Sequence, residues 1–245
     1  MTPDASVPFQ LADGTAVILR PVACSDREYF RVGFRSMSPG SRYYRFFAYV
    51  PGLSDTQLQY FTEVDQINHV AWVAMAAERT LDAGLGGARF VRIREQPEIA
   101  EFSFAVIDSM QRRGLGRALL AVLHLLAAEG GVKVLRSTCL PENERVVSWL
   151  CRLGAEYRGY SEGTIELDLH VGKGPDSSAP RGSAAQRFAS ALDYLGRALA
   201  EARQNLRPTA ARSFCTRTKL PSTSSPSEYS AEILKGALQK HEAKP

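Results

Sequence analysis

The sequence predicts an α/β protein, a central sheet flanked by helices, and three observations carry that expectation. Apolar strand-like runs occupy His69–Ala76, Gly86–Arg94 and Ile99–Ile107. The last two are separated only by Glu95-Gln96-Pro97-Glu98, a connection short enough for a hairpin. The third run leads almost directly into Gly114-Leu115-Gly116 and an apolar helix, so strand, glycine turn and helix follow in close succession.

The remaining elements follow in order. Ala16–Pro21 reads as a strand and Asp26–Phe34 as a charged amphipathic segment, and Ser54-Asp55 is a helix-capping pair. Between them, Ser41–Phe47 packs two Arg and four aromatic residues into seven positions. That run either lines an acceptor site or anchors helices, with packing favoured for Tyr43, Phe46 and Phe47. Gly114–Glu129 is apolar almost all round, as expected of a helix packed on a sheet, and His124 within it reads as core. His69, at the start of its strand, reads as structural. Strand Val132–Thr138, helix Asn143–Leu153 and two strands near Glu156–Tyr160 and Gly163–Leu169 complete the layer.

The composition changes at Gly172. GKGPDSSAPRGSA and PTAARSFCTRTKLPSTSSPS have the makeup of linkers, whereas Ala184–Gln204 places Phe188, Leu192, Leu195 and Leu199 on one helical stripe. A second short helix is expected at Ala231–Lys240. The expected organisation is one domain over 1–171, followed by a largely disordered basic extension over 172–245 with a docking helix at 184–204. The net charge of +4 divides accordingly: residues 1–171 hold 18 Lys+Arg against 20 Asp+Glu, and residues 172–245 hold 12 against 6. A nucleic-acid partner thus has support only from the tail, and none is expected. No run of 18 apolar residues exists and the N-terminus lacks signal-peptide features, so a soluble, cytoplasmic protein without a membrane partner is expected. Cys24, Cys139, Cys151 and Cys215 show no metal-ligand spacing, and no metal is expected.

The glycine turn carries the functional signal. Helix N-termini present unpaired N–H groups and partial positive charge, and glycine lets a phosphate approach the backbone closely. Around Gly114, Leu115 and Gly116 stand Gln111, Arg112, Arg113 and Arg117 as further donors. A P-loop is excluded because G-x-x-x-x-G-K-[ST] is absent. A dinucleotide site is disfavoured, since Leu119 occupies the third glycine position and the next strand ends in Arg136-Ser137-Thr138 without an acid.

What remains, Gln111-Arg112-Arg113-Gly114-Leu115-Gly116, resembles the coenzyme A signature of the GNAT superfamily of N-acetyltransferases. The resemblance runs over about residues 12–171, through Leu140-Pro141-Glu142-Asn143 and Leu153-Gly154. Ser41–Phe47, Val64-Asp65, His69-Val70-Ala71 and Ala100-Glu101-Phe102 are similar to the acetyltransferase domain of bacterial protein lysine acetyltransferases. The resemblance implies a GNAT-like mixed, mostly antiparallel sheet in which a splayed strand pair forms the acetyl-CoA cleft. It further implies that the backbone at Phe104, Ala105 and Val106 meets the pantetheine arm, as does Asn143, whose alternative role is a helix N-cap. Alternation places Glu101, Ser103 and Ala105 on one face and Phe102, Phe104 and Val106 on the other.

The lysine-acetylating relatives carry a glutamate at the position of Glu101, acting as general base, and an apolar strand is a setting that raises a carboxyl pKa. The competing reading pairs Glu101 across the hairpin with Arg92. The family's tyrosine acid position is Leu150 here, so no tyrosine acid is expected. A covalent route through Cys139 or Cys151 is the lesser alternative, both thiols reading as buried apolar groups. The expected reaction is acetyl transfer to an amine, with a protein lysine favoured over a small-molecule amine. A non-catalytic acyl-CoA-binding module is the alternative from another class.

Overall fold

A computed structural model of the protein describes residues 6–77, 83–172 and 180–205. In chain order the elements are β1 (Val7–Gln10), β2 (Ala16–Pro21), α1 (Arg27–Arg35), α2 (Pro39–Phe46), α3 (Asp55–Thr62), β3 (His69–Ala76), β4 (Gly84–Ile93) and β5 (Gln96–Val106). They continue with α4 (Leu115–Glu129), β6 (Val134–Cys139), α5 (Glu144–Arg152), β7 (Glu156–Ser161), β8 (Thr164–His170) and α6 (Ala184–Asn205). The eight strands form one sheet, ordered β1-β2-β3-β4-β5-β6-β8-β7. Its neighbours are antiparallel except for β5 and β6, which run parallel. The architecture is the mixed, mostly antiparallel α/β layer that the sequence leads one to expect.

Period-two alternation divides the central strands between two faces. Val70, Trp72, Ala74, Ala88, Phe90, Ala100, Phe102 and Val106 enter the main core with α4. Ala71, Val73 and Met75 face the other way, into a smaller cluster beside Tyr29 and Phe30 of α1. A third cluster, Phe34, Phe46, Ala48, Val50 and Phe61, holds α1, α2 and α3 together. Capping fixes where these helices start. Ser38 Oγ accepts from the Ser41 amide with Pro39 at the first helical position, and Ser54 and Gln57 form a capping box on α3. Tyr43 departs from expectation, lying exposed on α2 while Phe46 is buried.

The all-round apolar character of α4 has a physical reason in two partners, the sheet on one side and α6 on the other. Phe188, Ala191, Leu195 and Leu199 of α6 are buried in the same core, and Phe188 meets the His124 ring edge-on at 5.9 Å. Arg203 forks onto Glu129 with two 2.7 Å bonds, and the Tyr194 hydroxyl donates to the Pro8 carbonyl at 3.1 Å. The expected second helix at 231–240 and the linker before it lie outside the described residues, as does Cys215. Among the described residues no helix is long and apolar enough to cross a membrane.

Candidate active site

Strands β5 and β6 pair over three positions only: Ile99 with Val134, Ala100 with Leu135 and Glu101 with Arg136. Past Glu101, β5 stays on β4 as far as the Val106–Gly86 pair, while β6 follows β8 through Cys139 and Ile165. The two strands part, and the backbone from Phe104 to Val106 borders the gap. Gly86 keeps β4 tight against β5 here, since a Cβ on it would lie 2.8 Å from the Ala105 carbonyl oxygen. The Trp149 ring of α5 meets Phe104 at 5.6 Å and so sets the helix across the gap.

The gap leads to the glycine turn. Gly114 caps α4 at φ 99°, a left-handed conformation that favours glycine. A Cβ on Gly116 would only touch the Phe104 ring, at 3.6 Å, so internal packing does not demand glycine there. Leu115 is buried and anchors the first turn. Arg117 lies over Gly114: its Nη2 is 3.0 Å from where a Gly114 Cβ would stand, and its buried Nε has no hydrogen-bond partner.

Other expected donors are turned to internal partners. Gln111 Nε2 donates to the Val106 carbonyl (3.2 Å) and to Ser41 Oγ (3.0 Å), bracing the turn against β5 and α2. Arg113 ion-pairs with Asp13 and bonds to Thr15, so the β1–β2 hairpin holds it. The Thr15 backbone amide and then Arg113 hold the Asp13 carboxyl down at about 2. Arg112 is exposed, at φ 64°. Asn143 stands at the N-cap of α5, the alternative role, but its side chain makes no capping bond. The backbone carbonyl of Asn143 accepts from Val146 and Val147 instead, leaving its amide side chain without that task.

On the opposite face, Ser103 and Ala105 line a cavity of about 100 Å³ roofed by Phe30, Phe34 and Phe46. Arg45 reaches into its wall and donates to Ser103 Oγ at 3.0 Å, and burial lowers its guanidinium to about 10. Arg89 contacts His69 Nε2 at 2.9 Å and donates to the Phe61 carbonyl at 3.0 Å. Burial, reinforced by Arg89, keeps the His69 imidazole well below its ordinary value and hence neutral. Burial likewise pushes the Tyr60 phenol up, with Glu101 among the charges acting on it. Glu101 also acts on Arg136, its neighbour across the last β5–β6 pair.

Two expectations are corrected. Glu101 stands opposite Val91, because a bulge at Arg92/Ile93 shifts the register near the hairpin turn. Arg92 is spent on the carbonyls of Ile67, Pro97 and Gly130, so the cross-strand ion pair does not form. Of the two thiols expected to be buried, only Cys139 is; Cys151 is exposed on α5. Burial pushes the Cys139 thiol up, which disfavours the nucleophilic thiolate. Leu150 is fully buried.

The Ser38–Ser41–Asp108 link was not visible in the sequence. Asp108 accepts from the Ser38 amide (2.8 Å), Ser38 Oγ (2.8 Å) and Ser41 Oγ (2.9 Å), tying α2 to the end of β5. Burial raises the Asp108 carboxyl, but these hydrogen bonds outweigh it and hold the group below its usual value. No local pattern foretells a contact spanning 70 residues.

Residues 16–156 match the acetyltransferase (GNAT) domain family. The chain belongs to this family. It is 32% identical over 165 residues to Acetyltransferase Pat of Mycolicibacterium smegmatis, a match covering 67% of this chain and 49% of the relative. The chain thus spans about half the length of that protein. Acetyltransferase PA5475 of Pseudomonas aeruginosa is 27% identical over 144 residues, with 59% of this chain and 77% of the relative covered. The crystal structure of the GNAT domain of S. lividans PAT superposes with a TM-score of 0.64 at 27% identity, over 69% of this chain and 99% of that one. In this GNAT chain, β5 pairs with β6 only from Ile99 to Glu101, and Gly114 heads α4. Among the described residues no three His, Cys, Asp or Glu side chains gather as a metal site.

Proposed function

We propose that the protein is an acetyl-CoA-dependent N-acetyltransferase whose favoured acceptor is a protein lysine side chain. The observation that carries this reading is the parting of β5 from β6 at Glu101 and Arg136, with the Gly114 turn at the far end of the gap. The residues there fit the donor: Gly114 leaves the backbone approachable and the buried Arg117 Nε has a hydrogen-bond donor to spare. Support for the acceptor comes from the likeness to Acetyltransferase Pat. We take residues 1–171 as the catalytic domain and α6 as an extension docked on it.

Acetyl-CoA supplies an activated acetyl thioester. The backbone amides of Arg112, Arg113, Gly114, Leu115 and Gly116, with the Arg117 guanidinium, hold its phosphates. The backbone of Phe104, Ala105 and Val106 and the Asn143 side chain orient the pantetheine arm. A lysine ammonium, with an ordinary pKa of about 10.4, must lose a proton before the amine attacks. Glu101 takes that proton, directly or through one water, from the acceptor face of β5.

Calorimetric titration with acetyl-CoA tests the donor site. The parent chain is expected to bind, and Gly114→Val to lose about tenfold or more in affinity, since valine is strained at φ 99° and collides with Arg117. Absence of binding by the parent rejects the reading. Mass spectrometry of candidate proteins incubated with acetyl-CoA then reads the acceptor. Acetyl-lysine is expected; label confined to small amines rejects a lysine acceptor, and binding without transfer to any amine rejects catalysis.

A further inference from the structure

The cavity on the helix-covered face of the sheet holds a cation that the surrounding side chains do not neutralise. Its floor is small, with Gly86 and Gly87 of β4 and Ala105 of β5, and its walls include the rings of Phe34, Phe46 and Phe61. Arg45 of α2 lines it and donates to Ser103 Oγ at 3.0 Å, its guanidinium lying 5.0 Å from the centre of the Phe46 ring. A guanidinium carries five N–H donors, and among the described residues Ser103 is the one hydrogen-bond acceptor that Arg45 meets. No described carboxylate ion-pairs with Arg45, and none of the residues lining the cavity is acidic. Burial lowers the guanidinium only to about 10, so it is charged at neutral pH.

Packing holds Arg45 in place. Asp108 ties Ser38 and Ser41, at the start of α2, to the end of β5, and Phe46 meets the Phe34 ring at 5.7 Å. A cation taken out of water without a counter-charge is costly, and a carboxylate is the group onto which a planar guanidinium forks. The distances suit one short chain. Ser103 precedes Ala105 by two residues, about 7 Å along a strand, and the backbone at Ala105 is where the thioester arm is placed. An acetyl methyl ends one C–C bond, about 1.5 Å, from the thioester carbon. In a four-carbon diacid the second carboxyl carbon is about 4 Å away, and a charge-assisted hydrogen bond of about 2.8 Å spans the remainder.

We propose that this cavity takes the acyl group of a second class of donor, a short dicarboxylic acyl-CoA of the succinyl kind, whose free carboxylate binds Arg45. The proposal rests on the acetyl-CoA reading above and concerns the same site. The transfer has the same balance: the amine nitrogen bonds to the thioester carbon, the C–S bond breaks, and the proton shed by the amine ends on the departing sulfur. The product is an amide that carries a carboxylate.

The test is calorimetry of the full chain with succinyl-CoA and with butyryl-CoA, which has the same chain length and no charge. No acceptor is present, so a preference comes from the acyl group alone. The parent is expected to bind succinyl-CoA about tenfold more tightly, on the scale of one charge-assisted hydrogen bond. In Arg45→Gln this ratio is expected to fall to about one, and Arg45→Lys, which keeps the charge, is expected to regain part of it. Arg197→Gln, at an exposed arginine of α6, is the control and is expected to keep the parent's ratio. The parent's ratio needs no variant, so it decides even if Arg45→Gln does not fold. Mass spectrometry of the candidate proteins incubated with succinyl-CoA is expected to find succinyl-lysine above the enzyme-free level. Equal binding of the two four-carbon thioesters by the parent, an Arg45→Gln ratio equal to the parent's, or binding without succinyl transfer overturns the inference, while acetyl-CoA binding still upholds the donor site. A parent chain that binds no thioester overturns both.

Discussion

The two faces of the central sheet differ in what they bury. The face toward α4 and α6 is filled by Phe90, Phe102, Leu119, Leu123 and Leu195, each at most 3% exposed, whereas the face toward α1, α2 and α3 encloses Arg45, Arg89, His69 and a cavity. One strand serves both: β5 sends Phe102 to the first and Glu101 and Ser103 to the second. The difference sets an apolar core against a face that buries charged side chains. Charged groups are costly to bury, so they are found where hydrogen bonds and rings receive them, as Phe61 and its carbonyl receive Arg89.

The largest expected effect tests the apolar face. Leu195→Ala should cost about 2–5 kcal/mol of unfolding free energy, the range for truncating a fully buried leucine. Urea denaturation measures it, and a loss below about 1 kcal/mol would mean that α6 is an ornament on the core. Next, on the other face, Glu101→Gln should lower kcat at saturating acetyl-CoA about 10²-fold with an unchanged melting temperature. A rate equal to the parent's across pH 6–9 removes Glu101 as base.

A smaller effect sharpens the contrast through pH. His69 and His124 are both held below their ordinary value, chiefly by burial, so the unfolded chain binds protons more readily than the folded one. Stability is therefore full above about pH 6.5 and falls as pH drops below it, by up to about 1.4 kcal/mol per pH unit for each histidine. Denaturation series between pH 5 and 8 should show this slope, and His69→Asn should flatten it; a parent curve already flat below 6.5 contradicts the neutral imidazoles. The smallest effect is expected from Cys139→Ala with Cys151→Ala, which should keep kcat within about twofold. Loss of all turnover without loss of fold would restore the thiol route.

Local patterns carried much of the fold. The strands from His69 to Ile107, the apolar α4 and the Ser54 cap were legible because periodicity and capping act over a few residues. β1 escaped notice because four residues give too short an alternation, and α2 because its aromatics read equally as a binding surface. At the site, the glycine turn and the Glu101 face were legible, while the fate of individual polar side chains was not. Gln111 and Arg113 carry the same donors in the sequence whether they face a ligand or, as here, Ser41 and Asp13.

The sequence by itself determined the type and order of most of the secondary elements and the glycine turn at the head of α4, because backbone preference and hydrophobic period are properties of short segments. Tertiary structure alone decided that Glu101 lies opposite Val91 and Arg136 rather than Arg92, that Asp108 binds Ser38 and Ser41, and that α6 packs on α4. The reason is that register shifts, long-range hydrogen bonds and helix docking depend on distances set by the packing of remote segments, which no local pattern encodes.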